Sequence, residues 1–417
     1  MEKIFASIVT IGDELLIGQV VDTNSAWMAQ QLNKAGIWVK HRMAVGDVWE
    51  DIWNALDEES QRAHIILITG GLGPTADDIT KPLLNEYFGC KMIVDEGALA
   101  NVKNIFEKVL KWPLIDRNLK QAEVPDGCSV IQNRRGTAPG MWFEKNGKIF
   151  ISMPGVPYEM KGMMTDYVIP ALQKHFTLPF IMHKTLLTTG IGESFLAEHI
   201  KEFEQSLRGH IKLAYLPNYG MVRLRLTGSG GNKDELDNDL GSKFEALKQL
   251  VKEWMVIDED LTMQQAVGNL LKEKKQTVGT AESCTGGYIA HLITSEPGAS
   301  VYYKGSVVSY AYKTKEEVLH VSPQTLATYG AVSEETVRQM ATGALALLHT
   351  DYIVATSGIM GPDGGTPEKP VGTVWVAVGR KEKIITQKFY FRFDRLRNIE
   401  LTATNALNLL RKCILES

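Results

Sequence analysis

The run Ile65-Ile66-Leu67-Ile68-Thr69 breaks off directly into Gly70-Gly71-Leu72-Gly73-Pro74-Thr75-Ala76-Asp77-Asp78-Ile79-Thr80. A short, continuous apolar run fits a strand buried on both faces, and glycine and proline end it. Residues 4–10 are a similar run, followed by Ile11-Gly12-Asp13-Glu14, and residues 148–153 lead into Pro154-Gly155-Val156-Pro157-Tyr158-Glu159-Met160. Between the first two runs, Asp22-Thr23-Asn24-Ser25 forms a cap cluster, with Met28, Leu32 and Ala35 behind it at helical spacing. Strand and helix patterns that alternate in this way predict an α/β fold, with a parallel sheet covered by helices on both faces. Loops at the carboxyl ends of such strands expose backbone donors where α/β sheets bind ligands.

A chain of 417 residues exceeds one typical core, so two or three domains are expected. With 45 basic against 49 acidic residues and no long basic run, bulk attraction to nucleic acid or an anionic membrane is not expected. No apolar run reaches membrane-spanning length, and the amino terminus lacks a signal-peptide pattern. The four cysteines, Cys90, Cys128, Cys284 and Cys413, have no paired spacing, which suits reduced thiols and a cytoplasmic setting.

The pair Asp77-Asp78 would repel a bare phosphate. It makes sense if a hard divalent cation sits between carboxylate and phosphate oxygens. Asp13 and Glu14 are further carboxylates of the same kind, with helix or turn capping as the alternative role.

After Pro170 the pattern changes to α+β. A strand is expected over 183–189, a helix over 195–204, and a period-two strand over 221–226 with Arg223 and Arg225 on its wet face. Residues 233–252 form an amphipathic helix with Leu236, Leu240, Phe244 and Leu247 on one side.

From Asp258 an α/β pattern restarts. A strand end at 277–279 leads to Thr280-Ala281-Glu282-Ser283-Cys284-Thr285-Gly286-Gly287, and a helix follows from Tyr288. A serine on a strand-to-helix turn stands clear of the sheet, as in a nucleophile elbow, although the G-x-S-x-G pattern is absent. Cys284 is a rival nucleophile, but its place after the serine turns it inward. A second strand runs over 306–310 and is followed by Lys313 and Lys315. A helix capped by Ser333 comes next, and a buried strand over 352–356 breaks at Ser357-Gly358-Ile359-Met360-Gly361-Pro362. Phe389, Phe391 and Phe393 alternate as core positions. The nine histidines are isolated, so a Ser-His-Asp triad is unsupported. A lysine whose pKa has fallen from about 10.4 by desolvation can act as base instead.

Taken together, GDELLIGQVVDTNS, TGGLGPTADDIT and MPGVPYEM resemble the amino-terminal domain of the CinA (competence/damage-inducible protein) family, which is similar to the molybdopterin-binding MoaB/MogA fold. AESCTGG, VVSYAYKTK, GAVSEETV, TSGIMGPDGGTPEKPVGTVW and FDR resemble its nicotinamide mononucleotide amidase domain, and the intervening segment resembles its KH-like domain. The resemblance implies a MoaB/MogA-like three-layer domain over 1–170, a KH-like domain over 171–257 and an amidase domain over 258–417. For the first it implies metal-dependent hydrolysis of ADP-ribose to AMP and ribose 5-phosphate. Asp77 and Asp78, with Asp13 or Glu14, would hold Mg, Mn or Co, and Gly70, Gly71, Gly73 and Thr75 would face the pyrophosphate. The middle domain would act in spacing and dimer contact, since no G-x-x-G loop with flanking lysines, as in an RNA binder, is visible.

For the third domain the resemblance implies deamidation of nicotinamide mononucleotide without a cofactor. Ser283 is the nucleophile, Lys315 the base, and Tyr310 the hydroxyl that orients or relays protons. Ser357, Gly358 and Gly361 border the carboxamide, amides near Thr285, Gly286 and Gly287 receive the oxyanion, and Arg395 holds the phosphate. Family members often read Tyr-(Ser/Thr)-Asn before the lysine, so Lys313 competes with Lys315. Glu400 falls where an arginine is frequent. A homodimer without direct nucleic-acid contact is expected. A molybdopterin-type binding module and a competence or damage interaction protein are the alternatives.

Overall fold

A computed structural model describes residues 3–75, 77–207, 209–218 and 220–417. Met1, Glu2 and Ala76, which belong to segments discussed above, lie outside the described residues. The chain divides into two compact units, one of residues 1–183, 207–212 and 227–243, the other of 184–206, 213–226 and 244–417. Among the described residues no helix is long and apolar enough to cross a membrane.

In the first unit the strands are β1 (Phe5–Ile11), β2 (Trp38–Val45), β3 (Ile65–Thr69), β4 (Met92–Val94), β5 (Glu123–Pro125), β6 (Ser129–Ile131), β7 (Gly140–Lys145) and β8 (Lys148–Met153). The main sheet runs β2-β1-β3-β8-β7-β6, and β4 pairs with β5 separately. β1, β2, β3 and β8 are parallel, while β7 and β6 add an antiparallel edge.

Because side chains alternate along a strand, each central strand feeds two cores. Ile8, Leu67 and Ile151 pack with Met28 and Leu32 of the helix Thr23–Lys34. Val9, Ile66 and Phe150 pack on the other face with Ile52 and Leu56 of the helix Trp49–Arg62. The Asp22 carboxylate accepts from the Ser25 amide at 2.9 Å and starts the first helix at the expected cap cluster. The result is the expected helix–sheet–helix sandwich, with the loops after β1, β2, β3 and β8 at the same sheet edge.

The middle segment holds β9 (Phe180–Thr189), β10 (Ile211–Asn218), β11 (Met221–Gly230) and β12 (Met255–Ile257) in the order β10-β11-β9-β12. Two details differ from expectation. The helix over 195–204 is two short helices, Glu193–His199 and Lys201–Gln205, because Ile200 leaves helical geometry at φ −105°, ψ 15°. Arg223 is not on an open face: its guanidinium pairs with Asp260 and donates to the Leu261 carbonyl at 3.2 Å.

The carboxyl-terminal sheet contains β13 (Val278–Glu282), β14 (Tyr303–Val308), β15 (Tyr352–Gly358), β16 (Thr373–Arg380) and β17 (Lys383–Tyr390), ordered β14-β13-β15-β16-β17. β13, β14 and β15 are parallel. Val278, Val354 and Val376 face Val267, Leu271, Leu407 and Leu410 on one side, and Ala281, Ile353 and Ala377 face Val337, Met340 and Ala344 on the other. Phe389 and Phe391 pack on the first of these cores, but Phe393 is 56% exposed, because it lies beyond the end of β17 and has left the sheet. The chain leaves β13 for one neighbour, β14, and crosses back to the other, β15. The carboxyl end of β13 is therefore a topological switch point, the usual ligand crevice of an open α/β sheet.

Candidate active site

Ser283 follows the last residue of β13 and is 8% exposed. Its amide donates to the Thr356 carbonyl at 3.0 Å, which continues the ladder to β15. Tyr310 lies beyond the end of β14, not within it, and the chain then turns into the helix Tyr312–Glu317. One turn of that helix carries Lys315 inward while Lys313 points away. Lys315 is 1% exposed, and its Nζ lies 2.9 Å from Ser283 Oγ and 3.3 Å from the Tyr310 carbonyl, with the Ser309 carbonyl as a further acceptor. Burial holds its amine below the ordinary lysine range. Lys313 has 79% of its side chain exposed and pairs with Glu317 at 3.6 Å, so it cannot reach Ser283. Of the two competing lysines, the fold brings Lys315 to Ser283 and leaves Lys313 exposed.

Cys284 points into the fold as expected. Burial pushes its thiol up to about 12, which leaves it a neutral packing residue. Ser357, at 1% exposure, donates its hydroxyl to the Ala331 carbonyl at 2.7 Å, so only its lone pairs remain for a ligand. Arg395 Nη1 donates to the Gly361 carbonyl at 2.7 Å and Nη2 to the Tyr310 hydroxyl at 3.0 Å. Tyr310 thus meets the lysine through its carbonyl and Arg395 through its hydroxyl. Ser283, Tyr310, Lys315, Ser357, Gly358 and Arg395 line one pocket of about 180 Å³.

The amides of the turn also differ from expectation. The Gly286 amide donates to the Ser283 carbonyl at 3.2 Å, and the Gly287 amide to Glu282 Oε2 at 3.1 Å, so neither is open to an oxyanion. Among the described residues, the amides of Cys284 and Thr285 donate to no other residue, and the Cys284 amide lies against its own thiol. Glu282, missed by the sequence reading, is fully buried, and its carboxylate accepts from Thr285 Oγ1 at 2.7 Å and from the amides of Gly287, Ile289 and Ala290. A glutamate inside a polar motif reads as surface, and nothing local marks it as a cap.

The loops at the carboxyl ends of β1, β2, β3 and β8 line a second pocket of about 470 Å³, with Glu14, Asp47, Gly70, Gly71, Gly73, Asp77, Asp78 and Glu159 in its wall. Asp78 folds back onto its own loop: it accepts from the Gly73 amide at 2.8 Å and the Thr75 amide at 2.9 Å, and also from the Thr75 hydroxyl. Gly73 and Thr75 thus close the loop around Asp78, and a Cβ on Gly73 would sit 2.5 Å from its carboxylate. Asp13 is in a reciprocal clasp with Asp47, amide to carboxylate in both directions at 3.1 and 3.2 Å.

Asp47 and Glu159 were not given roles from sequence. Burial, then the charges of Asp13, Glu14 and Asp77, raises the Asp47 pKa, and burial raises that of Glu159. The glycine that precedes Asp47 after β2 was the available signal. Among the described residues no three Asp, Glu, His or Cys side chains converge as a ligand set. With Asp13 and Asp78 committed to backbone amides, the residues do not fit a preassembled metal centre.

Residues 7–174 match a family described as "Probable molybdopterin binding domain", residues 183–255 the "Damage-inducible protein CinA KH domain", and residues 260–414 the "CinA C-terminal domain". A CinA-like protein of Cytophaga hutchinsonii is 45% identical over 414 residues, which cover 99% of both chains. The chain belongs to the CinA family. A second CinA-like protein, from Flavobacterium psychrophilum, is 44% identical over 413 residues and 99% of each chain. A CinA superfamily structure from Klebsiella pneumoniae matches 37% of this chain and 97% of its own, at 34% identity and a TM-score of 0.37. Within this CinA chain the Glu400 departure has a local partner: its carboxylate pairs with Arg397 at 2.9 Å.

Proposed function

We propose that the carboxyl-terminal site of this CinA protein hydrolyses the carboxamide of nicotinamide mononucleotide to nicotinate mononucleotide and ammonia. The observation that carries the reading is a buried lysine amine 2.9 Å from a serine hydroxyl at a sheet switch point. A serine hydroxyl is a weak nucleophile at neutral pH, and an unprotonated amine in contact with it can take its proton as it attacks. Ser283 Oγ bonds to the carboxamide carbon, its proton passes to Lys315 Nζ, and the tetrahedral oxygen takes the charge. The C–N bond then breaks, and Lys315 returns the proton to the leaving ammonia. Water activated by the same amine hydrolyses the ester that remains.

The lone pairs of Ser357 suit the carboxamide NH2. Arg395, anchored at Gly361 and Tyr310, suits the phosphate at the pocket mouth. Pyridinium character in the substrate makes its carbonyl more electrophilic and lowers the demand on the enzyme. Ammonia release from nicotinamide mononucleotide by the full chain, compared with Ser283→Ala, tests the reading. An active Ser283→Ala protein would overturn it.

The amino-terminal pocket is assigned to ADP-ribose, supported by its open glycine loop and the carboxylates of Glu14, Asp47 and Asp77. A divalent cation in this reading comes with the substrate's phosphates, as magnesium commonly does, because the protein alone does not assemble a centre. The family match over residues 7–174 favours a second ligand for the same pocket, a pterin, which copurification with a fluorescent pterin would reveal. A cytoplasmic homodimer is part of the proposal, and sedimentation of the purified chain tests the dimer.

A further inference from the structure

We propose that Glu282 is a positioning residue of the carboxyl-terminal site: it takes up the amides that open the following helix and so reserves those of Cys284 and Thr285 for the substrate's carbonyl oxygen. The proposal rests on the amidase reading.

The backbone donors after Ser283 can be followed one by one. The Gly286 amide closes the turn on the Ser283 carbonyl at 3.2 Å, and the Tyr288 amide goes to Thr285 O at 3.0 Å. Gly287 and Ile289 donate to Glu282 Oε2 at 3.1 and 3.0 Å, and Ala290 to Oε1 at 2.8 Å. Among the described residues of this stretch only the amides of Cys284 and Thr285 donate to no other residue, the Cys284 amide lying against its own thiol, and both residues are buried, at 6% and 2% exposure. Buried amides without partners are rare enough to call for a reason. A ligand oxygen beside Ser283 supplies one.

The helix cap is itself unusual. Helices commonly receive their first amides from a Ser, Thr, Asp or Asn side chain at the N-cap. Here the N-cap is Gly287, at φ +96°, with no side chain to give, and the acceptor comes from the last strand residue beneath the turn. A carboxylate at zero exposure is stable only when hydrogen bonds replace its water, and Glu282 gains them from three amides and the Thr285 hydroxyl. Thr285 Oγ1 also lies 2.8 Å from Thr356 Oγ1, which ties the turn to β15. The turn is therefore held from below by its side chain and by the helix start, so its two remaining amides do not need to reorganise when charge develops.

The test uses the full chain with Glu282→Gln, which keeps the shape but replaces one acceptor oxygen with a donor. Thr285→Val, which removes the hydroxyl and keeps the amide, is the second variant. We expect Glu282→Gln to lose about tenfold or more in kcat with KM nearly unchanged, because outright loss of one oxyanion donor costs about 10²–10³ and a donor left in place but misaimed forfeits part of that. Labelling of Ser283 by a fluorophosphonate, whose phosphoryl oxygen needs the same donors, should slow by a similar factor. The pH inflection of kcat/KM, set by Lys315, should stay in place. Thr285→Val should show the same signature more weakly. A lower melting temperature with kcat and labelling unchanged in both variants would make Glu282 a purely structural cap and overturn the proposal. A shifted inflection would also overturn it, by assigning the effect to the lysine. If Glu282→Gln does not fold, Thr285→Val decides by the same readouts. If the wild type releases no ammonia, the amidase reading falls, and labelling rates still judge Glu282. A wild type that is not labelled overturns both.

Discussion

Lys315 is a base only while it is uncharged, and burial lowers its pKa from the ordinary value of 10.5. The sign follows: kcat/KM for deamidation rises with pH through the lowered pKa and levels off above it, since the unprotonated amine is the active form. Lys315→Arg should be nearly inactive, because a guanidinium does not deprotonate in proteins. Lys313→Arg, at an exposed position paired with Glu317, should keep wild-type rates. Steady-state kinetics of both variants across pH check this, and an active Lys315→Arg would remove lysine from the mechanism. Cys284→Ala should retain most activity, since the thiol stays protonated at any working pH; a dead variant that still folds would return the nucleophile question to Cys284. At this scale the sequence was legible in part. The turn placed Ser283, but nothing local distinguishes Lys315 from Lys313. The choice rests on a helix turn that buries one and exposes the other. Asp47 and Glu282 stayed hidden because a carboxylate's role depends on which amides lie near it in space.

Elements were more legible than contacts, because hydrophobic periodicity reports the core directly. β3 and β8 have the expected bounds and the helix Tyr288–Thr294 the expected start, while the broken helix at Ile200 and the exposed Phe393 depend on packing that no periodicity encodes. The glycine loop after β3 shows the same limit. Its glycines were expected to face a ligand, yet the backbone assigns them different tasks. Gly70 has φ +114°, and a Cβ there would meet the Ile11 carbonyl oxygen of β1 at 2.2 Å, backbone that cannot swing aside. The atoms nearest a Cβ on Gly73 would be those of the Asp78 carboxylate, at 2.5 Å, the movable end of a side chain. Gly70→Ala should therefore destabilise the protein by about 1–3 kcal/mol in urea unfolding, through forced backbone strain. Gly73→Ala should stay within about 1 kcal/mol of wild type, but it should free Asp78 from the loop and depress ADP-ribose cleavage. Equal stability losses in the two variants would show that the loop is rigid throughout and that its glycines serve one purpose.

For the whole molecule, the motif order set the three-part organisation, while the chemistry of each pocket emerges only after folding. All residues that line the pocket around Ser283 belong to one compact unit, and all that line the pocket around Gly70 belong to the other. Neither pocket borrows a side chain from the other unit. Their electrostatic character is also opposite: the first centres on an amine whose pKa burial lowers, the second on carboxylates gathered around Asp47, whose pKa is raised by burial and then by the charges of Asp13, Glu14 and Asp77. A lysine-based site has no need of a cation, whereas a pyrophosphate cannot settle among carboxylates without positive charge between them. The two activities should therefore separate cleanly in the full-length protein. Ser283→Ala should abolish ammonia release from nicotinamide mononucleotide and leave ADP-ribose cleavage at wild-type rate. EDTA should do the reverse, and added magnesium, manganese or cobalt should restore the cleavage. Ammonia and AMP measured in the same preparation, with and without chelator, check both halves. An amidase that loses activity in EDTA and regains it with metal would overturn the lysine mechanism, because a metal-activated water and a serine nucleophile make incompatible demands on the same carbonyl.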